Sequence, residues 1–323
     1  MLKNPRIIFL GTPEFAVAPL DQLVKKGYNV VAVVTAPDKP AGRGKKMTAP
    51  PVKKYAEQND IPVFQPPKLK NEDFLKSIKE LRPDIQVVVA FRMMPEELWS
   101  IPSEGTFNLH ASLLPQYRGA APINRAIMNG EKKTGLTTFF IDEKIDTGEV
   151  IFQEEMTIGE NETAGELHDR MTITGSELVE KTVKAIAEGT VQTQPQPMLE
   201  KYNQELKSAP KIFKEDCRIT WTENGQKVHN LIRGLSPYPS AFSAMKKAGV
   251  PDLQVKILKT EFEQAEHDHR PGDIISDGKT YLNVAVPDGY IKILELKPAG
   301  KKSMNIRDFL NGFQEPEKWR MES

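Results

Sequence analysis

FNLHASLLPQYRGAAPINR, residues Phe107–Arg125, gathers an amide (Asn108), an imidazole (His110), a hydroxyl (Ser112) and a proline-stiffened turn (Leu113, Leu114, Pro115) into one short span. Gly105-Thr106-Phe107 reads as a strand leading in, and Ala120–Ile127 as a helix with Pro122 in its first turn. Asn108 and His110 are two residues apart, so on an extended strand both side chains point to one face. A polar pair at a strand end is a common active-site arrangement in open α/β sheets. The stretch therefore predicts an α/β sheet whose strand ends carry the chemistry.

Upstream, the pattern agrees. Arg6–Leu10 is a short apolar strand that turns through Gly11-Thr12-Pro13-Glu14-Phe15 into a helix ending near Lys26, and Val30–Val34 is a second, fully apolar strand. The first turn lacks the three-glycine dinucleotide fingerprint and no acid ends the second strand, which argues against a nicotinamide or flavin dinucleotide. From Lys39 to Lys54 there are six cations and no acid, with glycines and prolines that argue against regular structure. Such a segment is either a solvated surface loop or, beside a central strand end, a binder of a polyanion by charge attraction. A helix over Val52–Gln58, a strand at Pro62–Phe64, a helix over Glu72–Leu81 and an apolar strand at Ile85–Ala90 continue the alternation. Arg92, just past that strand, is a candidate ligand contact.

Downstream of the opening stretch come a Thr- and Phe-rich strand at Gly135–Ile141, a polar loop from Asp142 to Gly148, a strand at Glu149–Gln153 and a long helix from Thr163 to Glu188. Leu167, Met171, Leu178, Val179 and Ile186 lie at helical spacing on it. After Gly189 a Thr/Gln/Pro run reads as a linker. Beyond it, strands at Arg218–Thr220, Gln254–Thr260, Gly272–Ser276, Leu282–Val286 and Tyr290–Pro298, with one helix near Gly225–Gly234, suggest a small Greek-key barrel. The expected division is residues 1–189, a linker at 190–208, and 209–323. A length of 323 residues suits two domains.

Lys+Arg and Asp+Glu both total 44, so net charge names no partner. From Ala209 onward 18 cations face 16 acids, so only a local patch could attract a polyanion there. The single cysteine, Cys217, excludes an intramolecular disulfide and reads as a buried small residue. No apolar run approaches the roughly 18–20 residues that cross a bilayer, and Met1 leads straight to a strand without a signal-type segment. No membrane association and a cytoplasmic location are expected.

Asn108, His110 and Asp146 form the chemical set. A charged imidazole and a carboxamide N–H together stabilise an oxyanion growing on an acyl carbon, and a carboxylate can take the proton of an attacking amine directly or through a water. That suits acyl transfer to an amine without a covalent enzyme intermediate. Ser112 sits in a proline turn without a glycine elbow, so its expected duty is to hold the turn. A zinc site would use His110 and Asp146, but a third ligand from His168, His229, His267 or His269 has no supporting spacing, and no metal is expected.

The Asn-x-His…Ser-Leu-Leu-Pro…Arg-Gly-Ala-Ala-Pro pattern at Asn108, His110, Ser112–Pro115 and Arg118–Pro122, followed by Asp146-Thr147-Gly148, resembles the folate-dependent formyltransferases. Gly11–Val17, Pro37–Lys45, Trp221 and Pro298–Met304 look like signatures of the methionyl-tRNA formyltransferase family within them. The resemblance covers nearly the whole chain. It implies a Rossmann-like formyltransferase domain with a parallel-type sheet, followed by a small C-terminal OB-like β-barrel. It implies formyl transfer from 10-formyltetrahydrofolate to the amino group of methionine on initiator methionyl-tRNA, in support of translation initiation; apart from the resemblance, a monomer is expected. Asn108, His110 and Asp146 match the family's catalytic trio. Phe91, Arg92, Met93, Met94 and Ser112, Leu113, Leu114, Pro115 are the expected folate contacts. Lys39, Arg43, Lys45 and Lys46 match the loop that enters the acceptor stem, and Lys211 matches a basic linker that touches tRNA. Phe91-Arg92-Met93-Met94 departs from the Tyr-Gly-Gln-Ile-Leu of most members, and Arg92 resembles the folate-contacting arginine of glycinamide ribonucleotide relatives. Relatives that formylate a sugar-nucleotide amine share the catalytic motif but have no use for the cationic loop or the barrel.

Overall fold

The computed structural model describes residues 2–41, 46–196 and 205–322. It contains two compact units. The first comprises residues 1–119, 135–156 and 168–207, and the second residues 120–134, 157–167 and 208–323.

The first unit is built on a seven-stranded sheet. β1 (Ile7–Gly11), β2 (Val30–Val34), β5 (Val63–Phe64), β6 (Ile85–Val89) and β7 (Thr106–His110) run parallel, and β9 (Lys133–Phe140) is antiparallel to β7. With β10 (Val150–Thr157) the order is β10-β9-β7-β6-β1-β2-β5; in sequence α4 (Glu96–Trp99) follows β6, the two-residue β8 (Arg118–Gly119) and α5 (Pro122–Met128) follow β7, and α6 (Ala164–Glu188) follows β10. β1 is continuously apolar, β6 is apolar apart from Gln86, and both are buried throughout, as befits central strands covered on both faces. One apolar layer joins Ile8, Leu10, Val34 and Val88 to Phe74, Ile78 and Leu98. Phe74 and Ile78 come from α3 (Glu72–Glu80), capped by Asn71, whose side chain accepts the Phe74 N–H at 2.9 Å. The chain winds outward from β1 through α1 (Val17–Lys25) and α2 (Pro51–Gln58) to β5, then returns to place β6 against the other side of β1. That reversal makes a switch point, and the crevice beyond the carboxyl ends there is where open α/β sheets bind ligands. Those ends are Gly11, Val89 and, one strand over, His110.

The expectation that Lys39–Lys54 lacks regular structure is corrected. β3 (Lys39–Ala41) and β4 (Lys46–Thr48) pair antiparallel, Lys39 opposite Thr48 and Ala41 opposite Lys46. The pattern was hidden because glycine and proline weaken a strand signal without forbidding a two-stranded arm.

In the second unit the two-residue strand β11 (Ser208–Ala209) precedes an antiparallel sheet of β12 (Ala241–Lys247), β13 (Val250–Gln264), β14 (Ile274–Ser276), β15 (Leu282–Val286), β16 (Gly289–Pro298) and β18 (Arg320–Met321). Their order is β14-β15-β16-β13-β12-β18, with β17 (Met304–Asn305) on β16. An Asp273–Arg320 bridge and the Met321 N–H to Gly272 C=O bond of 2.8 Å bring the two ends together, so the barrel is nearly closed. Register shifts near Lys259 bend the 15-residue β13. α7 (Gly225–Leu235) fills the barrel's open face with Val228, Ile232 and Leu235 against Ile257, Ile291 and Ile293. Trp221 is fully buried there, its indole N–H donating to Ser243 Oγ at 3.1 Å.

Candidate active site

The site is assembled at the carboxyl end of β7. Asn108 and His110 point to the same face, as their spacing requires. Asn108 is half-buried, and its carboxamide makes no hydrogen bond among the described residues. His110 is 6 % exposed, so its ring is held by protein on nearly every side. Its Nε2 lies 2.8 Å from the Tyr117 carbonyl, which fixes a proton on that nitrogen because a carbonyl can only accept. Its Nδ1 faces Asp146 Oδ2 at 3.8 Å. The ring therefore lies between two oxygen acceptors.

Asp146 is held through both its carboxylate and its backbone carbonyl. Oδ2 accepts the Gly119 N–H at 2.9 Å. The backbone carbonyls of Asp146 and Gly148 each accept from Gln196 Nε2 at 2.9 Å. Arg118 donates through Nε to Gln196 Oε1 at 3.1 Å, closing a bridge from the Arg118-Gly119 turn to the loop. Burial lowers the Arg118 pKa, opposed by the charges of Asp146 and then Asp142. Asp142 closes the loop by accepting from the Lys144 N–H and the Thr147 hydroxyl at 3.0 and 2.7 Å. Gly148 ends it where no side chain fits, since a Cβ would lie 1.7 Å from the Phe140 oxygen.

Ala90, Tyr117 and Asp146 all have left-handed backbones, with φ of 47°, 59° and 55°. Each such residue costs on the order of 1 kcal/mol or more. Tyr117 is the residue whose carbonyl meets His110, and Asp146 the one whose carboxylate does, so both unusual conformations aim groups at the ring.

The Ser112–Pro115 turn is cradled by a residue pair that sequence reading missed. The Thr137 hydroxyl donates to the Ser112 carbonyl at 2.7 Å and accepts from Leu114 N–H at 3.2 Å and Gln153 Nε2 at 3.0 Å. Gln153 also reaches the Leu114 carbonyl at 2.9 Å. Ser112 is fully buried and donates to the Gln116 carbonyl at 2.6 Å, so its hydroxyl holds the turn.

The geometry above meets a clear set of relatives. The formyl transferase family matches residues 5–183, and the formyl transferase C-terminal domain matches residues 211–314. A methionyl-tRNA formyltransferase of Bacteroides fragilis is 49 % identical over 318 residues, covering 98 % of each chain. Another from Flavobacterium johnsoniae is 50 % identical over 311 residues, covering 96 % of this chain and 97 % of that one. The chain belongs to the methionyl-tRNA formyltransferase family. In fold it resembles an N-formyltransferase from Helicobacter canadensis crystallised with folinic acid and dTDP-3-aminofucose, with a TM-score of 0.64 at 22 % identity, covering 91 % of this chain and 98 % of that chain. It also resembles HypX from Aquifex aeolicus in complex with tetrahydrofolic acid, with a TM-score of 0.64 at 18 % identity, covering 97 % of this chain and 48 % of that chain.

For this formyltransferase the remaining sequence-predicted positions fall as follows. Phe91 and Met94 pack on the apolar layer beneath the sheet end, while Met93 is 74 % exposed. Arg92 stacks over Phe91 at 5.7 Å and donates to the carbonyls of Pro66 and Pro67, the latter at 2.9 Å. Burial lowers its pKa. Leu114 and Pro115 are buried and Leu113 half-buried. Lys39 and Lys46 are exposed on the β3–β4 arm, whereas Arg43 and Lys45 lie outside the described residues. Lys53, counted among the uncompensated cations, is in fact paired with Asp38 at 2.9 Å. Lys211 is exposed, its ammonium 5.6 Å from the Phe213 ring. Gln196 gave no local signal, because the Thr/Gln/Pro run around it reads as linker. Among the described residues no three His, Cys, Asp or Glu side chains gather to hold a metal ion, and no helix is long and apolar enough to cross a membrane.

Proposed function

We propose that this enzyme transfers the formyl group of 10-formyltetrahydrofolate to the α-amino group of methionine on initiator methionyl-tRNA. The observation that carries the chemistry is the Asn108 carboxamide, unpartnered among the described residues, beside an imidazole held between Tyr117 and Asp146. Asn108 N–H and His110 face the place where charge grows on the formyl oxygen as the amine attacks. The new bond joins the methionine nitrogen to the formyl carbon, and the bond to N10 of the folate breaks. Asp146 takes the proton released by the amine, directly or through a water, and a proton returns to N10 as it leaves.

The Phe91–Met94 and Ser112–Pro115 segments border the switch-point crevice and would hold the folate, with Arg92 fixed toward Pro66 and Pro67 by its own donors. The acceptor follows from kinship with methionyl-tRNA formyltransferases along the whole chain. Exposed Lys39 and Lys46, with Arg43, Lys45 and Lys211, supply cations for the phosphate backbone. Such an enzyme acts as a cytoplasmic monomer at translation initiation and needs no metal.

The test compares formyl transfer to charged initiator tRNA, uncharged tRNA, free methionine and a sugar-nucleotide amine. Product only with the charged tRNA supports the assignment; transfer to free methionine or to the sugar amine at an equal rate overturns it.

A further inference from the structure

The barrel carries a groove of about 650 Å³ that none of the chemistry above uses. That lies within the roughly 300–1,000 Å³ of small-ligand clefts. Its buried lining is apolar, supplied by Cys217, Val255 and Pro298. Its rim is aromatic and cationic. Phe213 and Tyr238 are 59 % and 83 % exposed, a large apolar area that folding leaves unused. Lys214, Lys256 and Lys297 line the groove, and among the described residues no carboxylate does. Lys214 and Lys297 form no ion pair among the described residues. Asp216, close to Phe213 in sequence, is engaged by Arg125 at 3.1 Å and by the Phe213 N–H at 3.0 Å.

The Tyr238 platform is firmly held. Ser240 Oγ donates to the Pro237 carbonyl at 2.6 Å, Ser240 N–H to the Leu235 carbonyl at 2.9 Å, and Lys256 Nζ to the Pro239 carbonyl at 2.8 Å. On the other side, the Lys211 ammonium lies over Phe213. Exposed rings with fixed backbones lose little freedom on binding a flat partner.

We propose that this groove binds an unpaired nucleobase of the RNA substrate, stacked on Tyr238 or Phe213, with the flanking phosphates met by Lys214 and Lys297. Neither feature alone selects that occupant. An apolar lining gives a phosphate nothing, and a cationic rim gives an apolar peptide nothing. A nucleotide has both a π-face and a charge, and stacking on aromatic rings tolerates any base. A base inside a duplex offers no free face, so the occupant is single-stranded or unstacked. The proposal rests on the assignment of a methionyl-tRNA substrate, but its test can be read separately.

The test measures dissociation constants for charged tRNA, a fluorescein-labelled hexaribonucleotide and a fully paired RNA hairpin across a salt series. The proteins are wild type, Phe213→Ala, Tyr238→Ala and the pair Lys214→Gln/Lys297→Gln. Both rings are exposed, so circular dichroism should show the truncated variants folded. Tyr238→Ala or Phe213→Ala should weaken hexamer binding by about tenfold at unchanged salt slope. The double lysine variant should flatten the slope of log Kd against log salt by about 1.4, as for two phosphates of a single strand. Unchanged hexamer affinity in both ring variants overturns the groove assignment. Equal affinity for the hairpin, or displacement of the hexamer by a proline-rich peptide, does so too. Wild-type protein that fails to formylate charged tRNA removes the substrate assignment, while the hexamer data still judge the groove.

Discussion

Replacing Gly148 by alanine tests whether the Asp146 loop sets the rate. A Cβ built there lies 1.7 Å from the Phe140 oxygen and 2.9 Å from its carbon, whereas real Cβ atoms essentially never come closer than 3.0 Å to a neighbour. The two backbones must therefore separate by about 1.3 Å. Neither can yield locally: the Phe140 N–H bonds the Glu149 carbonyl at 3.0 Å, and the Gly148 carbonyl is held by Gln196 at 2.9 Å. The displacement passes to Asp146, two residues earlier, whose carboxylate is positioned 2.9 Å from Gly119 N and 3.8 Å from His110 Nδ1. A misplacement of about 1 Å can cost about 100-fold in rate, equivalent to roughly 2.7 kcal/mol. Overpacking of this kind also lowers stability by about 1–3 kcal/mol. The assay is steady-state formyl transfer, with kcat and KM for charged tRNA measured alongside thermal unfolding. A folded Gly148→Ala protein with kcat within about threefold of wild type would refute the reasoning.

Three further outcomes are expected. Gln196→Ala removes the bridge between Arg118 and the Asp146 loop and should lower kcat by about tenfold, since about 1 kcal/mol per lost hydrogen bond is enough to loosen the loop; an unchanged kcat would leave Gln196 without a positioning role. His229 is buried in α7 with Nδ1 2.9 Å from Thr260 Oγ1, and burial, then the charge of Arg233, pushes its pKa from 6.5 down to about 4. The unfolded imidazole takes up a proton below about 6.5 while the folded one resists until about 4, so stability is full above 6.5 and declines through that window as pH falls, by up to about 3 kcal/mol. Melting curves of His229→Leu should lack that decline, and an unaltered pH profile would contradict it. Lys39→Gln with Lys46→Gln should reduce the salt slope of tRNA binding by about 2, measured by titration at several ionic strengths, and an identical slope would remove the arm from the phosphate contacts.

The sheet was legible wherever local pattern and tertiary role coincide. Val30–Val34 is an unbroken apolar run and Ile85–Val89 is interrupted only by Gln86 because both faces are covered, and Asn71 caps its helix within its own turn. Asn108 and His110 were legible for the same reason, since strand alternation alone puts them on one face. β12 was missed because Ala241–Lys247 mixes small, polar and charged residues and becomes a strand only by pairing with β13. α8 (Ile306–Leu310) was missed because five residues are too few to show a helical period. Thr137, Gln153 and Gln196 belong to the site through partners 16 to 78 residues away, distances at which no sequence spacing speaks. The cationic stretch read as uncompensated because its count began at Lys39, one residue after the Asp38 that pairs with Lys53.

Asn108, His110 and Asp146 are proposed to perform amine formylation together. The most direct test of that role is the single-turnover rate of formyl transfer to charged tRNA, with saturating donor, for Asn108→Ala and Asp146→Asn. Each should lose about 10²–10³-fold, as for removing an oxyanion donor or a proton acceptor, with little change in tRNA affinity. Rates within about fivefold of wild type in both folded variants would contradict it.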